Sequence, residues 1–368
     1  MFDDKYFMEL ALRIATSTLG QTSPNPCVGA IVVKNNQILG YGAHLHAGGA
    51  HAEIVALQQA GIAAEGATLY VTLEPCNHFG KTPPCTDAII NSKVKRVVVA
   101  TLDVNPQVAG NGIKKLQAAG IIVEVGLSEA EAKRLNQMFF YYITHNVPYI
   151  TLKCGMSLDA KLATSNGESK WITNSGARLD AHTYRHTHDA ILVGVGTILA
   201  DNPKLTTRLA SGDGKNPIRI ILDTNLRIPV DSQIITDGLS QTWIVVGSNV
   251  DKVEIIKYKN LGIDIIQMPK PEIDLQQLMQ TLGERQVTSV LVEGGHTVLT
   301  SFIQARLFNQ VVLYMSPLLI GGITAPQFFA GTGFVHLKDA INLEYTSTEL
   351  IDGNLKVIAE HSSLITAS

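Results

Sequence analysis

The sequence predicts an α/β protein built as two successive domains, residues 1–146 and 147–368. Three observations carry that expectation. Strand-like runs rich in β-branched residues alternate with helix-spaced segments in two separate series. The stretch Asn146-Val147-Pro148 breaks the periodicity between them, because proline disfavours helix in the residue ahead of it. A chain of 368 residues, 45% hydrophobic and 17% charged, can also bury more than one core.

In the first series, Phe7, Leu10, Ala11, Ile14 and Thr18 fall at helical spacing within residues 3–19, and Gly20 supplies a stop. Thr22-Ser23-Pro24-Asn25-Pro26 must be loop. Val28–Lys34 and Ile38–Ala43 read as strands joined at Asn35-Asn36 into a hairpin. His51–Ala60 reads as helix, Thr68–Leu73 as a buried strand and Cys85–Asn91 as the start of another helix. Val94–Ala100, Gly112–Ala119, Ile121–Val125 and one long helix over Ser128–His145 complete this domain.

The second series starts with the strand Tyr149–Lys153 and the helix Ser175–Arg185. Strands follow at Ala190–Val193, Pro217–Leu222, Thr242–Val246, Ile263–Gln267 and Ser289–Val292. The last runs through Glu293-Gly294-Gly295 into a helix over Thr297–Arg306, and Gln310–Met315, Leu343–Leu350 and Leu355–Glu360 close the sheet. No internal repeat or low-complexity segment is present.

Composition excludes several function classes. Net charge is −3 and the basic residues do not cluster, so the footprint of a nucleic-acid binder is missing. Met1-Phe2-Asp3-Asp4-Lys5 places acids where a signal peptide needs basic residues, and no apolar run approaches membrane-helix length. Four cysteines in so long a chain do not suggest a disulfide framework. The expectation is a cytoplasmic, reduced protein.

Those cysteines instead suggest a metal. His51-Ala52-Glu53 precedes Pro75-Cys76 and, after eight further residues, Cys85. One imidazole and two thiolates hold zinc with a tetrahedral position left open, which turns a water into a nucleophile. Glu53 supplies a proton carrier that need not be a ligand, the arrangement of zinc nucleobase deaminases. A structural zinc site closed by His78 or His46 is the alternative. Cys27 and Cys154 read as small buried hydrophobes. In the second domain no G-x-G-x-x-G occurs, but Gly194-Val195-Gly196-Thr197 and Gly294-Gly295-His296-Thr297 follow strands and suit a phosphate at a helix N-terminus.

The zinc stretch resembles the cytidine and nucleobase deaminase superfamily. Pro75-Cys76-Asn77-His78-Phe79-Gly80-Lys81-Thr82-Pro83-Pro84-Cys85, together with Pro24-Asn25-Pro26-Cys27-Val28-Gly29, is similar to the pyrimidine deaminases of riboflavin biosynthesis. The second half resembles the reductase linked to them. There the matching stretches are Lys153-Cys154-Gly155-Met156-Ser157-Leu158-Asp159-Ala160-Lys161, Ser169-Lys170-Trp171-Ile172-Thr173, 189–203 and Val292-Glu293-Gly294-Gly295. The resemblance implies a cytidine-deaminase-like α/β/α domain followed by a dihydrofolate-reductase-like α/β domain, in a bifunctional deaminase and reductase.

Carried over residue by residue, it implies one zinc held by His51, Cys76 and Cys85, with Glu53 catalytic. It implies NADPH contacts at Gly155, Trp171, Thr197, Asp201, Thr224 and the run Gly295, His296, Thr297, Val298, Leu299, Thr300 and Ser301. Substrate contacts are implied at Asn25, His44, His78 and Lys81 in the deaminase, and at Ser169, Arg185, Leu205, Arg208 and Glu293 in the reductase. Lys81 suits a phosphate as a point charge, and Arg185 with Arg208 suits one as two-pronged donors. The substrates are phosphoribosylaminopyrimidines, and the assembly expected is a homo-oligomer, dimer or tetramer. Two other readings compete: an RNA-editing deaminase, which the acidic balance disfavours, and a zinc-stabilised nucleotide sensor without turnover.

Overall fold

The computed structural model describes residues 2–78, 83–105 and 109–361, and its chain divides into two compact units, Met1–Asn146 and Val147–Ser368. The first contains α1 (Asp4–Thr16), β1 (Gly29–Lys34), β2 (Gln37–Ala43), α2 (Ala52–Ala60), β3 (Thr68–Val71), α3 (Cys85–Asn91), β4 (Arg96–Val99), α4 (Asn111–Ala118), β5 (Ile122–Val125), α5 (Glu129–Leu135) and α6 (Gln137–His145). Its five strands lie in the order β2-β1-β3-β4-β5. β1 is antiparallel to both neighbours, while β3, β4 and β5 are parallel.

The two-residue period of the strands makes this sheet two-faced. Ala30, Val32, Leu69, Val71, Val97 and Val99 pack under Ala52, Ala56 and Leu57 of α2, Ile89 of α3 and Leu116 of α4. The alternate residues Ile31, Val33, Tyr70 and Val98 meet Phe7, Met8, Ala11 and Leu12 of α1 and Ala132 of α5. The result is an α/β/α sandwich. Asn35 and Asn36 turn the β1–β2 hairpin with φ of 52° and 62°, the left-handed values that such a two-residue turn needs. Gly42 lets α2 lie directly on β2, since a Cβ there would sit 2.6 Å from the Ala52 carbonyl oxygen.

The single helix expected over Ser128–His145 is instead two, α5 and α6, broken at Asn136 with φ −107°. Asn136 is buried, and its side chain pairs with Cys27, far along the chain. A residue so engaged stops the regular pattern where hydrophobic spacing alone would continue it.

The second unit contains β6 (Tyr149–Ser157), α7 (Ser175–Thr187), β7 (Ala190–Gly194), α8 (Val195–Asp201), a small hairpin of β8 (Arg208–Leu209) and β9 (Gly212–Asp213), β10 (Ile218–Leu222), α9 (Gln233–Thr236), β11 (Thr242–Val246), α10 (Lys252–Asn260), β12 (Asp264–Gln267), α11 (Leu275–Glu284), β13 (Ser289–Val292), α12 (His296–Gln304), β14 (Gln310–Ser316), β15 (Leu343–Ile351) and β16 (Asn354–His361). Nine strands form one sheet, β12-β11-β10-β7-β13-β6-β14-β16-β15. It is parallel from β12 to β14 and antiparallel at β16 and β15. Leu278 and Leu282 of α11 and Phe302 of α12 cover one face; Ile198 of α8, Ile234 of α9 and Tyr258 of α10 cover the other.

Consecutive strands β6 and β7 are separated by β13. Both glycine turns noted in the sequence therefore lie at the carboxyl ends of adjacent strands, β7 and β13, beside the point where the strand order reverses. Open α/β sheets bind ligands at such points. Among the described residues, no helix is long and apolar enough to cross a membrane.

Candidate active sites

In the first unit, β3 ends shortly before Cys76, α3 begins at Cys85, and His51 is the residue ahead of α2. Three remote segments thus deliver ligand atoms that all lie within 4.8 Å of one another. His51 Nδ1 is 3.1 Å from Cys85 Sγ and 3.5 Å from Cys76 Sγ. The backbone N–H of Cys85 donates to Cys76 Sγ at 3.3 Å, so the first turn of α3 favours a thiolate there.

The two thiols shift one another in opposite directions. The Cys85 thiol, its strongest influence, and His51 pull Cys76 down to about 4, whereas its contact with Cys76 and burial push Cys85 up. One imidazole and two thiols converging without a fourth protein ligand among the described residues fit a zinc ion with an open position. Neither His46 nor His78 joins the set, which removes the support for a structural four-ligand site. Glu53, in the first turn of α2, is buried, and burial pushes its carboxyl up to about 7, the range of a group that both takes and gives a proton.

Beside the ligands, the Asn25 amide donates to His44 Nε2 at 3.0 Å, and His44 Nδ1 donates to the Ala50 carbonyl at 3.1 Å. Since an amide nitrogen can only donate, this fixes the neutral tautomer of His44, in keeping with burial lowering its pKa. The His44 and His51 rings meet edge to face at 5.4 Å. His78 is exposed, and Lys81 lies outside the described residues.

In the second unit, the two glycine turns abut through Val298. A Cβ at Gly194 or Gly294 would meet that side chain at 2.9 or 2.6 Å, whereas one at Gly196 or Gly295 would meet nothing within 4 Å. Gly295 is also the residue ahead of α12, with no side chain capping the helix. Backbone open to solvent at a helix N-terminus fits the pyrophosphate of a dinucleotide. His296 and Thr297 are exposed there, and Thr197 is half-buried in the first turn of α8. Val298 packs between the turns, and Ser301 Oγ donates to the Thr297 carbonyl. Leu299 and Thr300 face the core, Thr300 Oγ1 accepting from the Ala330 N–H.

Trp171 is 68% exposed with the Arg178 guanidinium 4.3 Å over its ring, and neighbouring Lys170 pairs with Asp201 at 2.8 Å. Gly155 lies on β6, where a Cβ would crowd Thr173, and Thr224 accepts the Gly247 N–H just past β10. Ser169 is exposed, and Leu205 is buried with φ 53°.

Arg185 is engaged by protein groups. Its Nε and Nη2 donate to Glu293 Oε1 and Oε2, and its Nη1 to the Thr206 carbonyl at 3.0 Å. Lys153 Nζ lies 3.8 Å from Glu293 Oε2. Burial would raise the Glu293 carboxyl, but Arg185 and Lys153 outweigh it and hold it down at about 2. Arg208 is exposed and keeps most of its guanidinium free, with one bond to Thr206 Oγ1 at 3.2 Å. Sequence reasoning missed Asn136 altogether; its only signal was an amide residue within an otherwise helical pattern.

The fold and the first site define a two-domain α/β enzyme whose N-terminal domain carries a deaminase-type zinc centre. Residues 1–101 match the cytidine and deoxycytidylate deaminase zinc-binding region, and residues 148–357 match the RibD C-terminal domain. Riboflavin biosynthesis protein RibD of Bacillus amyloliquefaciens is 46% identical over 356 residues, covering 97% of this chain and 96% of the relative. The protein of that name from Escherichia coli (strain K12) is 41% identical, covering 86% and 89%. The solved structure of Acinetobacter baumannii RibD is 37% identical with a TM-score of 0.88, covering 98% and 99%. A Thermotoga maritima diaminohydroxyphosphoribosylaminopyrimidine deaminase/5-amino-6-(5-phosphoribosylamino)uracil reductase is 35% identical with a TM-score of 0.86, covering 97% and 98%. The chain belongs to the RibD family of riboflavin biosynthesis proteins. It is a bifunctional enzyme, a hydrolytic deaminase joined to a reductase.

Proposed function

We propose that the first unit deaminates 2,5-diamino-6-(5-phosphoribosylamino)pyrimidin-4(3H)-one to 5-amino-6-(5-phosphoribosylamino)uracil, and that the second reduces the ribosyl chain of that product to ribityl with NADPH. The observation that carries the first step is the convergence of His51, Cys76 and Cys85 beside buried Glu53. Zinc bound there supplies Lewis acidity that makes a water acidic enough to attack at neutral pH. Glu53 takes the water's proton as its oxygen bonds to the amino-bearing ring carbon. It then returns a proton to the exocyclic nitrogen, which leaves as ammonia as the carbon–nitrogen bond breaks. Asn25, His44 and His78 hold the pyrimidine, and Lys81 its phosphate.

In the second unit, the turns ahead of α8 and α12 hold the cofactor's phosphates, with Gly155, Trp171, Asp201 and Thr224 as further contacts. NADPH supplies the hydride. The chain's own task is to place the sugar, with Ser169, Leu205 and Glu293 lining it and Arg208 as the exposed donor to its phosphate. The test is incubation of purified protein with the diaminopyrimidinone phosphate, with and without NADPH. Ammonia release in both arms and absorbance loss only with NADPH are expected; no ammonia release, or equal oxidation of NADH, would overturn the respective half.

A further inference from the structure

Cys27 is buried, and it precedes β1, so its backbone N–H and C=O have no place in the sheet ladder. Buried backbone groups must nonetheless be paired. Asn136, from the break between α5 and α6, meets that need with a planar amide that carries an acceptor and a donor side by side. Its Oδ1 accepts the Cys27 N–H at 2.8 Å, and its Nδ2 donates to the Cys27 carbonyl at 2.9 Å. Asparagine at the residue ahead of a helix ordinarily turns its side chain onto that helix's own N–H groups. Here no such bond forms, and the side chain reaches instead to a segment 109 residues away.

The grip on Cys27 extends into the zinc site. Two residues earlier stands Asn25, set between Pro24 and Pro26, whose rings fix two backbone dihedrals of this short loop. Holding Cys27 therefore sets the direction of the Asn25 side chain. That side chain binds His44, and His44 binds the carbonyl of Ala50, the neighbour of ligand His51. We propose that Asn136 is a positioning residue of the deaminase: by clamping Cys27 it holds the Asn25–His44 pair where the pyrimidine is read. The proposal rests on the reading of Asn25 as a substrate contact and goes beyond it.

A double-mutant cycle separates positioning from mere structural support. Asn136→Ala, Asn25→Ala and the double variant are assayed for ammonia release, alongside zinc content and melting. Each single change is expected to raise KM about tenfold, the worth of one good hydrogen bond, with zinc retained and kcat changed much less. The double variant is expected to be no worse than Asn25→Ala alone, because Asn136 acts through Asn25. Additive losses, or a wild-type KM in Asn136→Ala beside a raised one in Asn25→Ala, overturn the proposal and leave the substrate reading intact. An unchanged KM in Asn25→Ala defeats the substrate reading and the proposal with it. Where Asn136→Ala fails to fold, Asn136→Asp replaces it in the cycle, keeping the acceptor for the Cys27 N–H and losing the donor. If that variant also loses zinc and its melting transition, Asn136 is a folding residue and the proposal is overturned.

Discussion

Arg185 and Glu293, 108 residues apart, form a two-pronged ion pair, with Nε to Oε1 at 3.0 Å and Nη2 to Oε2 at 2.8 Å. Both side chains are largely buried, at 16% and 12% exposure. Removing one member of a buried pair strands the other charge at a cost of roughly 3–5 kcal/mol. Glu293→Gln is therefore expected to destabilise the reductase unit by about 3 kcal/mol, leaving Arg185 and Lys153 without their counter-charge. Arg208→Ala, at an exposed guanidinium, is expected to change the unfolding free energy by less than about 0.5 kcal/mol. It should instead raise the reductase KM for the phosphorylated substrate and spare deamination. Denaturant unfolding beside steady-state kinetics checks both, and equal destabilisation by the two changes would count against the division of labour.

Acid should weaken the reductase unit in two stages. His188 is buried with Nδ1 on the Tyr184 carbonyl and Nε2 on Thr151 Oγ1, and burial lowers its pKa from 6.5 to about 4. Burial, followed by the charges of Arg185 and Arg208, brings His182 to about 4 as well. Below pH 6.5 the unfolded chain takes up protons that the folded state refuses, so stability falls until about pH 4, by up to about 3 kcal/mol for His188. The Glu293 pKa is lowered as well, but for a carboxylate a lowered value stabilises the fold at neutral pH. Its contribution is complete above about pH 4.5 and is lost as pH falls through about 2. Denaturant midpoints between pH 7 and 4.5 should decline, and His188→Gln should flatten that slope; an unchanged slope would remove His188 from the account.

What could be read in advance divides by the range of the interactions. The convergence of His51, Cys76 and Cys85 was legible because a metal demands particular residue types, and each of the three sits at a recognisable strand end or helix start. The Asn35-Asn36 hairpin was legible because its turn is local. The break at Asn136 was not, since its cause is a bond to Cys27 that no periodicity records. The engagement of Arg185 was likewise hidden: nothing local to residue 185 indicates that its fork meets Glu293. Helices α10 and α11 were missed although Asp251 and Asp274 cap them, accepting from the N–H groups of Val253 and Gln277. Both lie between strands whose stronger patterns drew the reading.

Glu53→Gln keeps the shape of the side chain and removes its ability to carry a proton. Ammonia release should fall about a thousandfold, within the range for loss of general acid–base catalysis. Zinc content should stay at one per chain, because Glu53 is outside the ligand set. NADPH oxidation with the already deaminated substrate should persist. Cys85→Ser, in contrast, should lose zinc and deamination together. Metal analysis and the two separate assays distinguish these outcomes; a Glu53→Gln protein that still released ammonia at the normal rate would favour a different proton carrier.

The support beneath His51 and Glu53 is the seating of α2 on β2. Gly42 on β2 faces α2 so closely that a Cβ would lie 2.6 Å from the Ala52 carbonyl oxygen and 2.9 Å from the Ala56 nitrogen. Both are helix backbone atoms, which cannot rotate away as the end of a side chain can. Gly42→Ala must therefore push α2 off the sheet by a few tenths of an ångström or more. That helix carries Glu53 in its first turn and follows directly from His51, so the displacement reaches the metal site. The expected result is a stability loss of about 1–3 kcal/mol from overpacking, with weaker zinc retention under a chelator and slower ammonia release. Reductase turnover on the deaminated substrate provides the internal control. If Gly42→Ala bound zinc as firmly as the parent protein, the seating of α2 on β2 would not be what aligns the ligands.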